Sequence, residues 1–232
     1  MANDKTSQIT RRTVLGMLGS IGVVSIVGRL EGASGANAGS PNCVLTPQLT
    51  EGPFFVDEKL NRAEISDGQA GLPLRLNIYV YDANSSACGA VPGAQIDIWH
   101  TNGKGIYSDV PGLGSAEQTF LRGYQITDKN GNVSFTTIYP GWYYGRTSHI
   151  HVKARTFNAA GNETSEASTQ LFFEDRITDA VYASNLPYNS RPARDTRNSQ
   201  DGIYGGRTGL LLKLTGDTRS GYVGAITIGI SL

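Results

Sequence analysis

Apolar and polar residues alternate along much of the chain, and the alternation predicts short strands. From Leu72 to Asp82, the set Leu72, Leu74, Leu76, Ile78 and Val80 interleaves with Arg75, Asn77, Tyr79 and Tyr81. A period of two belongs to an extended strand with one face turned inward. Ala94–Trp99 repeats it with Ile96 and Ile98. Further strands are predicted over Phe120–Thr127, Asn132–Ile138, His149–Arg155, Ser168–Phe173, Gly209–Thr215 and Tyr222–Ile230. Asp128-Lys129-Asn130-Gly131 separates two of them, and its Asn-Gly pair predicts a hairpin turn. Thr178–Ser184 suits a short helix. Thr46–Ile65, Asn158–Glu166 and Pro187–Asp201 show little periodicity and read as loops or an extended arm. Many short strands divided by turn signals predict an all-β sandwich or barrel in one domain.

The N-terminal residues follow a different rule. A polar start ends in Arg11-Arg12, an apolar run spans Val14–Gly28, and small residues close with Ala36-Asn37-Ala38. Charged, apolar and small-residue regions in that order predict an export signal over residues 1–38, cleaved before Gly39. The folded domain is then residues 39–232. Thr10-Arg11-Arg12-Thr13-Val14-Leu15 suggests the twin-arginine route, although Val14 stands where that signal usually has Phe. The apolar run is shorter than the roughly 18 residues a membrane span needs, so no stable anchor is expected. Removal of the signal takes Lys5, Arg11, Arg12 and Arg29 with Asp4 and Glu31, which leaves a net charge near −2. No basic cluster appears, which argues against a nucleic-acid partner. Cys43 and Cys88 are the only cysteines. An even count behind an export signal favours one disulfide over two thiols.

Candidate chemistry gathers in Tyr139–Lys153. His149 and His151 are spaced i and i+2, so on a strand they share a face about 7 Å apart, with Ile150, Val152 and Ala154 on the other. This is the pattern of a half-buried strand presenting two imidazoles. Two imidazoles alone hold a metal weakly, and Tyr107, Tyr143, Tyr144 and His100 are the candidates to complete a set. A phenol must lose a proton of pKa about 10 to serve as ligand, which suits only a hard, highly charged cation. Two histidines with two tyrosines therefore argue for Fe(III). His100 joining His149 and His151 would argue for zinc or copper instead. His100 continues the inward alternation of Ile96 and Ile98, which suits a satisfied core histidine.

Five pieces occur in the order found in intradiol ring-cleavage dioxygenases, which the chain resembles from about Cys43 to its C-terminus. They are Thr50-Glu51-Gly52-Pro53-Phe54, Gly93 to His100, Gly105-Ile106-Tyr107-Ser108, Thr127 to Gly131, and Pro140-Gly141-Trp142-Tyr143 through Arg146-Thr147-Ser148-His149-Ile150-His151. The likeness is to the branch related to the protocatechuate 3,4-dioxygenase β chain. It implies a single β-sandwich and Fe(III) held by Tyr107, Tyr143, His149 and His151, with Tyr144 the alternative to Tyr143. It also implies that Arg146 stabilises charge on the substrate ring and that Gln170 lines the site. The implied substrates are a small aromatic diol and O2, with the ring split between its two hydroxylated carbons to a muconate-type product. Two rival readings are a secreted transthyretin-like binding module without catalysis and a three-histidine zinc or copper enzyme.

Overall fold

The computed structural model describes residues 44–232. Its strands are β1 (Pro73–Asp82), β2 (Gln95–Trp99), β3 (Arg122–Ile126), β4 (Asn132–Ile138), β5 (His149–Phe157), β6 (Glu163–Phe172), β7 (Lys213–Asp217) and β8 (Gly221–Ile230). One α-helix among the described residues, α1 (Asp175–Ser184), follows β6. The strands form two four-stranded sheets, ordered β4-β1-β8-β7 and β3-β2-β5-β6. This is the all-β sandwich that the alternation predicts.

The alternation read in the sequence explains the core. Leu74, Leu76, Ile78 and Val80 of β1 and Ile226, Ile228 and Ile230 of β8 pack with Ile96 and Ile98 of β2 and Ile150, Val152 and Ala154 of β5. Burying each large aliphatic side chain stabilises the fold by about 1.5–3 kcal/mol relative to leaving it in water. Ile65 joins this core with no exposed surface, although its segment reads as a loop. Backbone bonds from Ile65 N to Thr136 O and from Leu121 N to Ile65 O hold it there.

Three expectations change in the structure. The Asp128–Gly131 turn is tight, with Asp128 Oδ1 accepting from the Asn130 and Asn132 amides at 2.8 and 2.9 Å. It builds no hairpin, because β3 pairs with β2 in one sheet while β4 pairs with β1 in the other. The turn carries the chain across the sandwich instead. Gly131 has φ 76°, and a Cβ there would lie 2.4 Å from the Val80 carbonyl oxygen, so any other residue is excluded.

Strand β6 begins at Glu163, within the stretch read as a loop, because its polar first half pairs with Ala154–Phe157 of β5 and lies at the surface. Strand β5 itself is buried on both faces over His149–Arg155, where the pattern predicted burial on one. Its outer face is covered by the N-terminal arm. Lys153 pairs with Glu51 and with Glu166 at 3.3 Å, and its ammonium stands 3.9 Å from the Phe55 ring centre. Arg155 pairs with Asp97 at 2.9 Å and Asp57 at 3.3 Å. Residues 1–38, the predicted signal, and Cys43, the expected partner of Cys88, lie outside the described residues.

Candidate metal centre

The register of β5 fixes the neighbours of its histidines. His151 sits opposite Trp99 of β2 and Gln170 of β6, and His149 opposite Phe172 of β6. The Trp99 indole stacks on the His151 ring at 4.8 Å with planes 9° apart. His149 Nδ1 lies 2.6 Å from the Thr147 carbonyl, which can only accept. That nitrogen therefore carries the hydrogen, and Nε2 keeps a free lone pair. The two Nε2 atoms face each other at 3.2 Å.

Two phenols complete the cluster. Tyr107 comes from the β2–β3 connection, is fully buried, and stacks on Phe54 of the arm at 4.6 Å. Its Oη is 3.0 Å from His151 Nε2 and 3.3 Å from His149 Nε2. Tyr143 Oη is also 3.3 Å from His149 Nε2. Tyr144 points away and is 86% exposed, so Tyr143 is the member of the pair that turns toward the histidines.

Burial, reinforced by the Arg146 guanidinium, pushes His149 down to about 3. Burial and the neighbouring His149 hold His151 well below the usual histidine range. Both imidazoles are thus neutral. Burial, with the nearby Tyr143 phenol, pushes Tyr107 well above its ordinary value, and burial also raises Tyr143 against the lowering effect of Arg146. Both phenols therefore keep their hydrogens, and their Oη atoms face the two Nε2 atoms.

A cation replacing those two protons would meet two nitrogens and two oxygens converging on one point. Metal–donor bonds of about 2.0–2.1 Å give donor–donor separations of roughly 2.9–3.4 Å. Four of the donor–donor separations here, from each phenol to His149, from Tyr107 to His151 and between the histidines, run from 3.0 to 3.3 Å. The residues therefore fit a metal, and two phenolates suit a trivalent ion, since they cancel two of its three charges. Among the described residues no group of three or more His, Cys, Asp or Glu is arranged to hold one. His100 does not join: it is buried, with Nδ1 2.9 Å from Thr101 O and Nε2 2.8 Å from Thr137 Oγ1. Both its nitrogens are taken, as in the core reading, and the three-histidine alternative loses its third ligand.

Arg146 and Gln170 meet beside the cluster. Arg146 Nη2 donates to Gln170 Oε1 at 2.6 Å, Nη1 lies 3.5 Å from Tyr143 Oη, and Gln170 Nε2 donates to the Thr50 carbonyl at 2.8 Å. The arm thus roofs the site, passing His151 at Gly52, where φ is 75°. Sequence reasoning did not single out four neighbours: Phe54, Trp99, Arg122 and Asp201. Buried Arg122 ties the roof to the Tyr107 loop, donating to Phe54 O at 2.7 Å and to Ser108 Oγ and O at 2.8 and 2.6 Å. Phe54 and Trp99 lie inside quoted motifs, but Asp201 sits in a polar loop with no local signal. Asp201 Oδ2 accepts from Arg146 Nε at 2.8 Å.

The fold is a β-sandwich whose inner strand β5 buries two imidazoles at its start, with phenols brought to them by the neighbouring loops. The chain belongs to the intradiol ring-cleavage dioxygenase family: residues 50–193 match the family model described as dioxygenase. It is 31% identical to the intradiol ring-cleavage dioxygenase from Tetranychus urticae, with a TM-score of 0.71, over 82% of this chain and 95% of that one. The dioxygenase domain of a dioxygenase carbohydrate-binding protein fusion from Streptomyces sp. SirexAA-E is 27% identical, with a TM-score of 0.60, over 82% and 99%. Catechol 1,2-dioxygenase of Acinetobacter baylyi is 35% identical over 103 residues, 42% of this chain and 32% of that protein. The chain thus matches about a third of the length of the curated relatives.

Proposed function

We propose that the protein is a non-haem Fe(III) intradiol dioxygenase, which uses O2 to split a catechol-type ring between its two hydroxylated carbons into a muconate-type diacid. The observation that carries this reading is the convergence of Tyr107 Oη, Tyr143 Oη, His149 Nε2 and His151 Nε2 at separations of 3.0–3.3 Å beside Arg146. Ferric iron held by these four side chains would supply an electron-withdrawing centre for both catechol oxygens. The chain's own groups do the rest. Tyr143, half-buried where Tyr107 is fully buried, is the phenol nearer solvent, and as the phenolate that holding the metal requires, its Oη would take a substrate hydroxyl proton. Arg146 supplies fixed positive charge where the ring gains anionic character. Gln170 holds the Arg146 fork, and the Phe54 and Trp99 rings keep water from the buried side of Tyr107 and His151.

The N-terminal pattern supports export, with residues 1–38 as the signal and residues 39–232 as the active domain. The test is purification of the mature protein followed by iron analysis, a visible spectrum and oxygen uptake on a panel of catechols. We expect one ferric ion per chain, a visible phenolate-to-iron band and O2 consumption without extradiol product. A colourless protein that holds no iron and consumes no O2 would end this reading and favour a binding module.

A further inference from the structure

We propose that Asp201 is a positioning residue of the site: it holds the Arg146 guanidinium, and the turn that carries Tyr143, in their working orientation. The inference rests on the role assigned to Arg146 above. It concerns a residue beyond the part matched by the family model, which ends at 193.

The Asp201 carboxylate has 1% of its side-chain surface exposed and four hydrogen-bond donors around it. Oδ1 accepts from the Ile203 and Tyr204 amides at 2.8 and 3.1 Å, which fixes the carboxylate to its own loop. Oδ2 accepts from Arg146 Nε at 2.8 Å and the Thr147 amide at 3.0 Å. One oxygen thus grips the loop and the other grips the turn. The guanidinium is held at Nε by Asp201 and at Nη2 by Gln170, which leaves Nη1 on the side of Tyr143 Oη. A long cationic side chain pinned at two points loses the freedom to swing out toward water.

The same polar loop touches the turn elsewhere. Asn198 Oδ1 accepts from Thr147 Oγ1 at 2.7 Å, and Asp195 Oδ2 accepts from the Gly145 amide at 2.9 Å. Only Asp201 reaches both the arginine and the backbone leading into His149. Asparagine in its place would set an amide N–H₂ against one of these donor pairs, so it removes the bracket while nearly keeping the volume.

The test compares wild type, Asp201→Asn, Arg146→Ala and the double variant, with Asp217→Ala, an exposed carboxylate in the β7–β8 turn, as control. In Asp201→Asn we expect iron content and the visible band to stay near wild type. Its kcat/KM for catechol should fall on the order of 100-fold, as misplacement of a catalytic group does, with the loss mainly in kcat. In the Arg146→Ala background the same substitution should cost much less, on the order of 10-fold or below, because only the hold on the Tyr143 turn is left to lose. Hydrogen exchange of a peptide over residues 142–148 should quicken about tenfold, as loss of one buried bond allows, while β1 peptides stay unchanged. Asp217→Ala should turn over like wild type. An equal cost in both backgrounds, or unchanged exchange over 142–148, overturns the proposal. If wild type cleaves no catechol, the functional reading falls and the exchange measurement alone decides whether Asp201 positions the turn. Should Asp201→Asn fail to fold, Asp201→Glu keeps the charge one methylene out of place and is read by the same outcomes.

Discussion

Along β5, Ile150 and His151 are adjacent in sequence and opposite in surroundings. Ile150, Val152 and Ala154 face the sandwich core, whereas His149, His151, Lys153 and Arg155 face the N-terminal arm. Both faces are buried, but for different reasons. The first is buried because apolar surface leaves water, a non-directional gain that tolerates a similar shape. The second is buried only because its polar groups find partners: Glu51 and Glu166 for Lys153, Asp97 and Asp57 for Arg155. His151 Nδ1 is the exception, buried with no protein partner. The core face therefore sets whether the chain folds, and the arm face sets what it binds.

That division can be broken at neighbouring positions. The largest effect is expected from His151→Gln, which should abolish iron retention and oxygen uptake while changing metal-free stability by less than about 2 kcal/mol. Metal analysis alongside thermal unfolding checks both halves. If stability collapses together with iron binding, the two faces are not separable. Ile150→Ala should reverse the pattern. Loss of a buried aliphatic group costs about 2–5 kcal/mol, and whatever folds should still take up iron and colour, as read by denaturant titration and the visible spectrum.

Arg155→Met sharpens the comparison within the arm face. It leaves Asp97 with its 10% side-chain exposure and no cation. Breaking a buried pair costs 3–5 kcal/mol, but Asp57 at 38% exposure admits water, so about 2 kcal/mol is expected. Iron binding should survive, and rapid proteolysis within residues 50–58 would report a loosened arm. The smallest effect belongs to Tyr144→Phe. Its ring is 86% exposed, so colour should be unchanged and stability should move by no more than about 0.5 kcal/mol. A lost band in that variant would mean the two tyrosines have been exchanged in their roles.

What the sequence could show follows from the range of each interaction. The alternation of β1, β2 and β5 and the i, i+2 spacing of His149 and His151 are local, and the structure keeps them. The covering of β5 is not local, since the arm residues that do it lie about a hundred positions earlier with no periodicity to announce them. Asp201 meets Arg146 across 55 residues of chain. The Asn-Gly turn was legible as a turn, yet the sheet each flank joins is decided by long-range pairing with β1 and β2. The polar start of β6 hides as loop because nothing buries it; its strand character comes from the pairing with β5.

The parallel pairing of β1 with β8 bears on how the molecule is made. Leu74–Asp82 lie in register beside Tyr222–Ile230, and β7 reaches its sheet only through β8. On the ribosome, β1 and β4 can meet early, but the inner flank of β1 stays open until residues 221–230 have emerged. Closing a loop of that span makes the step slow relative to local contacts. Until then the chain carries an unpaired strand edge rich in leucine and isoleucine, the kind of surface that templates aggregation. A nascent chain halted before residue 221 would thus hold every residue of the proposed iron site and still lack a closed sheet beneath it.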